Sequence, residues 1–402
     1  MIANRKKKNP ARLAILLCAA LISLAACSGV RLVPIGQDGF QPEEDEARLW
    51  KESRELQMRF DRSGLVYEDV MITAYVNQVA IKVIPESVTR EIKFNIKILK
   101  HPTPNAFALP HGALYIHTGM LAQMENEAQL AAVIGHEVSH IMHRHTVQSF
   151  RTAKQAAAVG STLGVIGAPA GVYGLGVVLL GSVGTMAAVS GYSQSLEEEA
   201  DTEGLRLMVN AGYEPIDAVK VFENLKQYVE KAEIKEPFFF STHPRLEERK
   251  ASYQRLLDTE YRGRTGRQAK EEFLATVAPV ILYNASLELA KGRFTLAQET
   301  IENCIGREPA NSNAHFALAE LFRQRGQEGD QARAEKEYDV AIELNPRFAE
   351  PHRGIGLIYF KSKRPDLARA HFQKYLELNP GAKDRAYIEQ YLGEISAGGS
   401  YP

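Results

Sequence analysis

His136-Glu137-Val138-Ser139-His140 follows a run, Asn126 to Ile134, that reads as helix. On a helix, residues four apart share a face. His136 and His140 then project side by side, at a separation suited to one small cation. Neutral imidazole favours Zn²⁺, and a catalytic zinc takes three protein ligands with one position open. Glu137, beside that face, is placed to take a proton from water activated by the metal. The bland alternative is a pair of surface histidines on an amphipathic helix.

A third ligand is expected from a second helix. Leu196-Glu197-Glu198-Glu199-Ala200-Asp201 offers Glu197 and Asp201 four residues apart, on one face. Glu197 is the expected ligand. Asp201 is expected behind it, accepting the outer N–H of a liganding histidine and fixing its tautomer. Without the upstream histidines the same acids would read as a solvated face.

These residues carry a resemblance. H-E-x-x-H followed by E-x-x-A-D resembles the gluzincin metallopeptidases of the HtpX, CAAX prenyl-protease and BepA class. Asn105-Ala106-Phe107-Ala108-Leu109-Pro110-His111-Gly112 is similar to that family's N-A-F-A-x-x-G-G segment, and Phe238-Phe239-Phe240-Ser241-Thr242-His243-Pro244 to its F-x-S-T-H-P segment. The similarity runs from about residue 45 to 255, with four motifs in order. His111 departs from the family, which has glycine there, and this leaves the local backbone open because histidine tolerates positive φ poorly. The resemblance implies an edge strand at Asn105, Ala106, Phe107 and Ala108 beside the zinc, able to take an extended peptide by strand addition. His243 has two functional readings: it fills the open zinc position and holds the enzyme latent, or it stabilises the oxyanion. A loop histidine satisfied by backbone is the third.

Residues 1–26 read as a signal segment. Arg5, Lys6, Lys7, Lys8 and Arg12 precede or begin an apolar run, Leu13 to Leu24, that is too short for a comfortable span. Leu24-Ala25-Ala26-Cys27 resembles a bacterial lipobox, with Cys27 as the lipidated residue and Ser28 implying the outer membrane. An ordinary signal peptide with a chance cysteine is the alternative. Of the three cysteines, only Cys304 then remains in the folded chain, which allows no intramolecular disulfide. Cys304 is expected in helix packing. Beyond residue 26 acids outnumber bases, so nothing supplies the basic footprint of a nucleic-acid binder.

Further elements follow from pattern. Residues 27–42 read as a lipid-anchored tether and Glu43 to Phe60 as a helix. Asp69 to Val83 reads as a second helix, with Val70, Tyr75, Val79 and Val83 among its apolar positions. Ile92 to Leu99, Asn105 to Leu109 and Ala113 to Ile116 read as strands. Glu125 to His145 is expected as one helix carrying the zinc motif. His143 then points as His140 does and reads as an outer partner or a structural residue. His145 falls off that face and reads as structural, and His101, His111 and His117 carry no assignment. Gln155 to Gly191 is apolar and glycine-rich with Pro169 within it. It reads as a buried helical hairpin or as a mobile apolar lid that covers the cleft or touches lipid. Helices are expected from Glu197, Ile216 and Leu246, then a polar linker over 259–274.

From residue 275 the pattern is helical and repetitive. Glu308-Pro309, Asn345-Pro346 and Asn379-Pro380 recur, with small and aromatic residues at matching places upstream, which resembles tetratricopeptide repeats. The expected domain runs from 275 to 395, with a short tail over 396–402. Such stacks form grooves that bind partners.

The expected fold is therefore α+β, a mainly helical zincin-like peptidase domain with a small sheet over 43–258, followed by an all-α repeat solenoid. The expected chemistry is zinc-dependent peptide hydrolysis, with one Zn²⁺ per chain on His136, His140 and Glu197. The domain order resembles the β-barrel assembly-enhancing proteases. That resemblance implies action on unfolded or misassembled outer-membrane proteins, assistance of their assembly, and contact with the outer-membrane assembly machinery through the repeats, while the Cys27 lipobox implies a periplasmic protein held to the outer membrane by a lipid anchor. The alternatives are a chaperone or adaptor with a structural zinc, and an integral-membrane protease with residues 155–190 inserted.

Overall fold

The computed structural model describes residues 32–162, 192–233 and 246–397. The signal segment, Cys27, most of the apolar 155–190 stretch and His243 lie outside these residues. Helices combine with one small sheet up to residue 259, and the elements from Lys270 onward are all helices, as expected.

Helix α1 (Glu44–Arg62) and helix α2 (Val70–Val83) come first. Asp69 caps α2, its carboxylate accepting from the Ile72 N–H at 3.0 Å. Tyr75, Val79 and Val83 are buried, but Val70, in the first turn, is exposed. Three strands follow: β1 (Asn95–Leu99), β2 (Ala106–Ala108) and β3 (Ala113–His117). Their order is β1-β3-β2, with β3 central, parallel to β1 and antiparallel to β2. The turn between β2 and β3 answers the question raised by His111. Positive φ falls on Gly112, at 104°, not on His111. A Cβ on Gly112 would stand 2.6 Å from the Lys93 carbonyl oxygen, so glycine is required there on two counts. His111 is instead held by Ser53 Oγ at 2.6 Å and Gln57 Oε1 at 2.7 Å, which ties the turn to α1.

After a short helix α3 (Thr118–Ala122) comes α4 (Glu127–Met142), every residue of which is buried. Asn126 caps it, accepting from the Gln129 N–H at 3.0 Å and donating to Asp217 at 3.0 Å. Glu127, fully buried, accepts from the hydroxyls of Tyr75 and Tyr213 at 2.6 Å each, from Lys82 at 3.2 Å and from Arg267. A carboxylate in the first turn also suits the positive end of the helix dipole.

The expected single helix from Glu125 to His145 is not observed. It ends at Met142, Arg144 takes φ 59°, and α5 (His145–Thr162) starts in a new direction. The interactions that hold Arg144 in this conformation come from elsewhere in the chain. Its guanidinium pairs with buried Glu46 of α1, donates to the Val33 carbonyl at 3.2 Å and lies over the Phe40 ring.

The described part of the expected tether also differs from a free linker. The Ile35 side chain is buried, and its N–H donates to the Met142 carbonyl at 2.8 Å, one of the orphan acceptors at the end of α4.

Helix α6 (Gln194–Asn210) packs along α4, followed by α7 (Asp217–Ala232) and α8 (Leu246–Thr259). Gly212, at φ 84°, lies just past the end of α6.

The polar linker is shorter than 259–274 and is docked. Helix α9 begins at Lys270, and the Gln268 carbonyl accepts from the Glu127 N–H at 2.9 Å. Helix α9 (Lys270–Ala290) is long and apolar enough to cross a membrane by length and composition, yet about half of it is buried in protein. It pairs with α10 (Phe294–Arg307) and also packs on the first domain, where Asn284 accepts from Thr118 Oγ1 at 3.0 Å. Two more pairs follow, α11 (Ser312–Arg325) with α12 (Asp330–Leu344) and α13 (Ala349–Lys361) with α14 (Pro365–Leu378), then α15 (Arg385–Ser396). Cys304 is buried in α10. Gly356 faces the Phe372 ring, which leaves no room for a Cβ between paired helices.

Candidate metal centre

Two helices build the site. From α4, His136 and His140 bring their Nε2 atoms 3.0 Å apart. From α6, Glu197 places carboxylate oxygens 3.5 Å from His136 Nε2 and 3.7 Å from His140 Nε2. A tetrahedral zinc with ligand bonds of about 2 Å needs donors spaced by about 3.3 Å, so this set fits that ion. All three residues are buried.

The two helices come this close because each has a glycine at the crossing. A Cβ on Gly204 of α6 would stand 2.8 Å from the His136 nitrogen, and one on Gly135 would stand 2.7 Å from the Gly204 carbonyl oxygen. Backbone meets backbone, and Glu197, about two turns along α6, is brought to the histidine pair.

Behind the ligands lie two sets of partners. Asp201, expected there from sequence, stands with Oδ1 2.9 Å from His136 Nδ1. Arg249 of α8, which the sequence did not single out, grips Asp201 with Nε–Oδ2 at 2.9 Å and a terminal nitrogen to Oδ1 at 2.6 Å. Another of its nitrogens stands 3.4 Å from Glu197. Burial alone would push the Asp201 carboxyl up, but the Arg249 charge and hydrogen bonds, with His136, pull it well below the usual carboxylate range. The second set holds His140. Its Nδ1 lies 2.8 Å from His145 Nδ1, and Tyr192 stacks on its ring at 3.9 Å between centroids. The Tyr192 hydroxyl is 3.0 Å from Thr146 Oγ1. Tyr192 and His145 also lacked a functional reading in the sequence.

His143, expected as an outer partner or a structural residue, does not touch the ligand pair through the contacts described. Its Nδ1 is 3.0 Å from Glu199 Oε1. Glu137 is buried, and with His136 it lines a recess of about 20 Å³ that Phe222, Arg249 and Tyr253 also wall. That volume holds about one water molecule. A larger cavity of about 290 Å³ adjoins Glu197 and is lined by Arg249, Glu198, Glu248 and Arg255.

The strand Ala106–Ala108 is at the edge of the sheet. Ala106 and Ala108 are buried and only Phe107 is part-exposed, stacked on Tyr115 at 5.3 Å. The Asn105 side chain is buried with neither amide atom paired among the described residues.

Comparison with known proteins agrees with this geometry. Residues 72–256 match peptidase family M48. They form a peptidase family M48 domain. Residues 284–341 and 326–383 match the tetratricopeptide repeat. The M48 match begins within α2, so α1, which bonds Arg144 and His111, lies outside it. Among similar proteins, the beta-barrel assembly-enhancing protease of Escherichia coli (strain K12) is 26% identical over 232 residues, 56% of this chain and 46% of that protein. The mitochondrial metalloendopeptidase OMA1 of Saccharomyces cerevisiae is 32% identical over 158 residues, 38% of this chain and 44% of that protein. The OMA1 of Arabidopsis thaliana is 33% identical over 137 residues, 33% of this chain and 26% of that protein. The chain thus spans about half the length, or less, of the curated relatives it matches. M48 peptidases are zinc-dependent, and the M48 domain here carries the His136, His140 and Glu197 set.

Proposed function

We propose that this chain is a zinc metalloendopeptidase, with His136, His140 and Glu197 as ligands and Glu137 as the general base. The observation that carries the reading is the convergence of the three buried donors beside a buried Glu137. When bound by these three residues, zinc would supply Lewis-acid chemistry, lowering the pKa of a water and drawing charge from a peptide carbonyl. Glu137 accepts the proton of that water and returns it to the departing amine. Asp201, itself held by Arg249, accepts the Nδ1 hydrogen of His136 and keeps Nε2 turned to the ligand set. Buried walls around Glu137 exclude bulk water and strengthen these interactions.

The relatives supply the setting. One of them is named a beta-barrel assembly-enhancing protease, and it supports a reading in which this chain works in the cell envelope on outer-membrane proteins whose assembly has failed. The repeats fit a docking role for such substrates or for the assembly machinery. Lipidation at Cys27 would attach the protein to the outer membrane, and His243 would gate the site or assist the oxyanion.

The test is proteolysis of an unfolded protein by the purified chain. Cleavage that stops with a chelator and returns with zinc supports the reading. Binding of unfolded protein without any cleavage, at full zinc loading, supports the chaperone alternative instead.

A further inference from the structure

His140 and His145 present their Nδ1 atoms to each other at 2.8 Å, so a single hydrogen sits between two ring nitrogens. The contact exists because the helix breaks. On an unbroken helix, residues five apart are about 140° apart around the axis. The left-handed turn at Arg144 brings His145, the first residue of α5, back onto His140. Beyond His145 the chain of contacts continues: its Nε2 is 3.1 Å from Glu199 Oε2. The other oxygen of Glu199 is 3.0 Å from His143 Nδ1.

Only one direction of hydrogen bonding satisfies every member. His140 Nε2 faces His136 and Glu197, so as a ligand atom it must be free of hydrogen. The hydrogen of the neutral ring is then on Nδ1, which donates to His145 Nδ1. The hydrogen of His145 is consequently on Nε2, where the Glu199 carboxylate accepts it. In the reverse direction His140 Nε2 would carry a hydrogen into the ligand set, and the His145 Nε2 lone pair would face a carboxylate. Glu199 therefore selects the direction.

We propose that His145, oriented by Glu199, is a positioning residue that fixes His140 as a metal ligand. The inference rests on the metal site proposed above. It also assigns the cluster of His143, His145 and Glu199, whose donor atoms lie within 4.8 Å of one another and would otherwise suit a second cation. With the first site loaded, His145 Nε2 carries a hydrogen and has no lone pair to give. The cluster is a hydrogen-bonded support, and the chain takes one zinc.

The experiment measures zinc affinity of the full chain by competition with a colorimetric chelator, and zinc stoichiometry by equilibrium dialysis. His145→Phe keeps the ring volume and removes both nitrogens. His145→Asn keeps an acceptor near the position of Nδ1. Glu199→Gln, at a part-exposed residue, leaves packing in place. The expected results are affinity about 10- to 100-fold weaker in His145→Phe, recovery of most of that loss in His145→Asn, and an intermediate loss in Glu199→Gln. Thermal unfolding of the zinc-free variants checks that each is folded. Equal affinity in His145→Phe and wild type, equal losses in the Phe and Asn variants, or two zinc ions per wild-type chain would overturn the inference. A wild-type chain that binds no zinc overturns the metal site itself, and the inference with it.

Discussion

Gly135 and Gly204 meet backbone to backbone where α4 crosses α6, and the position of Glu197 relative to the two histidines depends on that contact. A methyl group on Gly204 would press on the His136 backbone at 2.8 Å, with no flexible side chain to yield. Gly204→Ala should therefore spread the helices and separate the ligands. The expected outcome is at least a tenfold loss of zinc affinity with about 1–3 kcal/mol of destabilisation from overpacking. Chelator competition and urea unfolding on the same samples give both numbers. Wild-type affinity in this variant would show that the crossing does not set the ligand spacing.

Arg249 and Asp201 form a fully buried ion pair with fork geometry. Removing Arg249 takes the guanidinium away from the buried carboxylates of Asp201 and Glu197, at a cost of about 3–5 kcal/mol. Arg249→Leu should show that loss in the zinc-free protein, where metal binding does not contribute. The double change of Arg249→Leu with Asp201→Leu should cost clearly less than the sum of the single changes. Additive losses in the double-mutant cycle would mean the two residues act independently.

Three histidines that hold no proposed metal give a pH signature. Burial pushes His111, His117 and His371 down to about 4; the Arg54 charge adds to this at His111 and the His352 charge at His371, while at His117 a hydrogen bond to Thr103 works against it. The unfolded chain, with histidines near 6.5, binds more protons than the folded chain between those values. Stability should be full above about pH 6.5 and fall as the pH drops toward about 4, by up to one proton per histidine. Paired changes His111→Gln and His371→Gln should flatten that slope in urea titrations across the range. An unchanged slope would place the acid sensitivity elsewhere.

The sequence made much of this site legible because its signals are local. His136, His140, Glu197 and Asp201 follow helical spacing, which needs no tertiary information. The repeats were legible by their period. The remaining features depend on contacts between distant segments. Arg249 sits in Glu247-Glu248-Arg249-Lys250, a charged run in the first turns of the expected helix, and its role appears only when α8 is packed against α6. The break at Arg144 has neither glycine nor proline to announce it, because Glu46 and Val33 hold the turn from outside. His145 reads as structural on a helical spacing that the break removes. Gly204 carries no signal in the sequence, and its use appears only opposite Gly135. The linker and tether read as polar and aperiodic, yet Gln268 and Ile35 bond to opposite ends of α4.

The central claim is that Glu137 moves the proton while the three ligands hold the metal. The direct measurement is zinc content and cleavage rate, side by side, for wild type and Glu137→Gln on an unfolded protein substrate. The account predicts one zinc per chain in both proteins and a rate at least about a hundredfold lower in Glu137→Gln. Cleavage at a near-wild-type rate with zinc bound would contradict it.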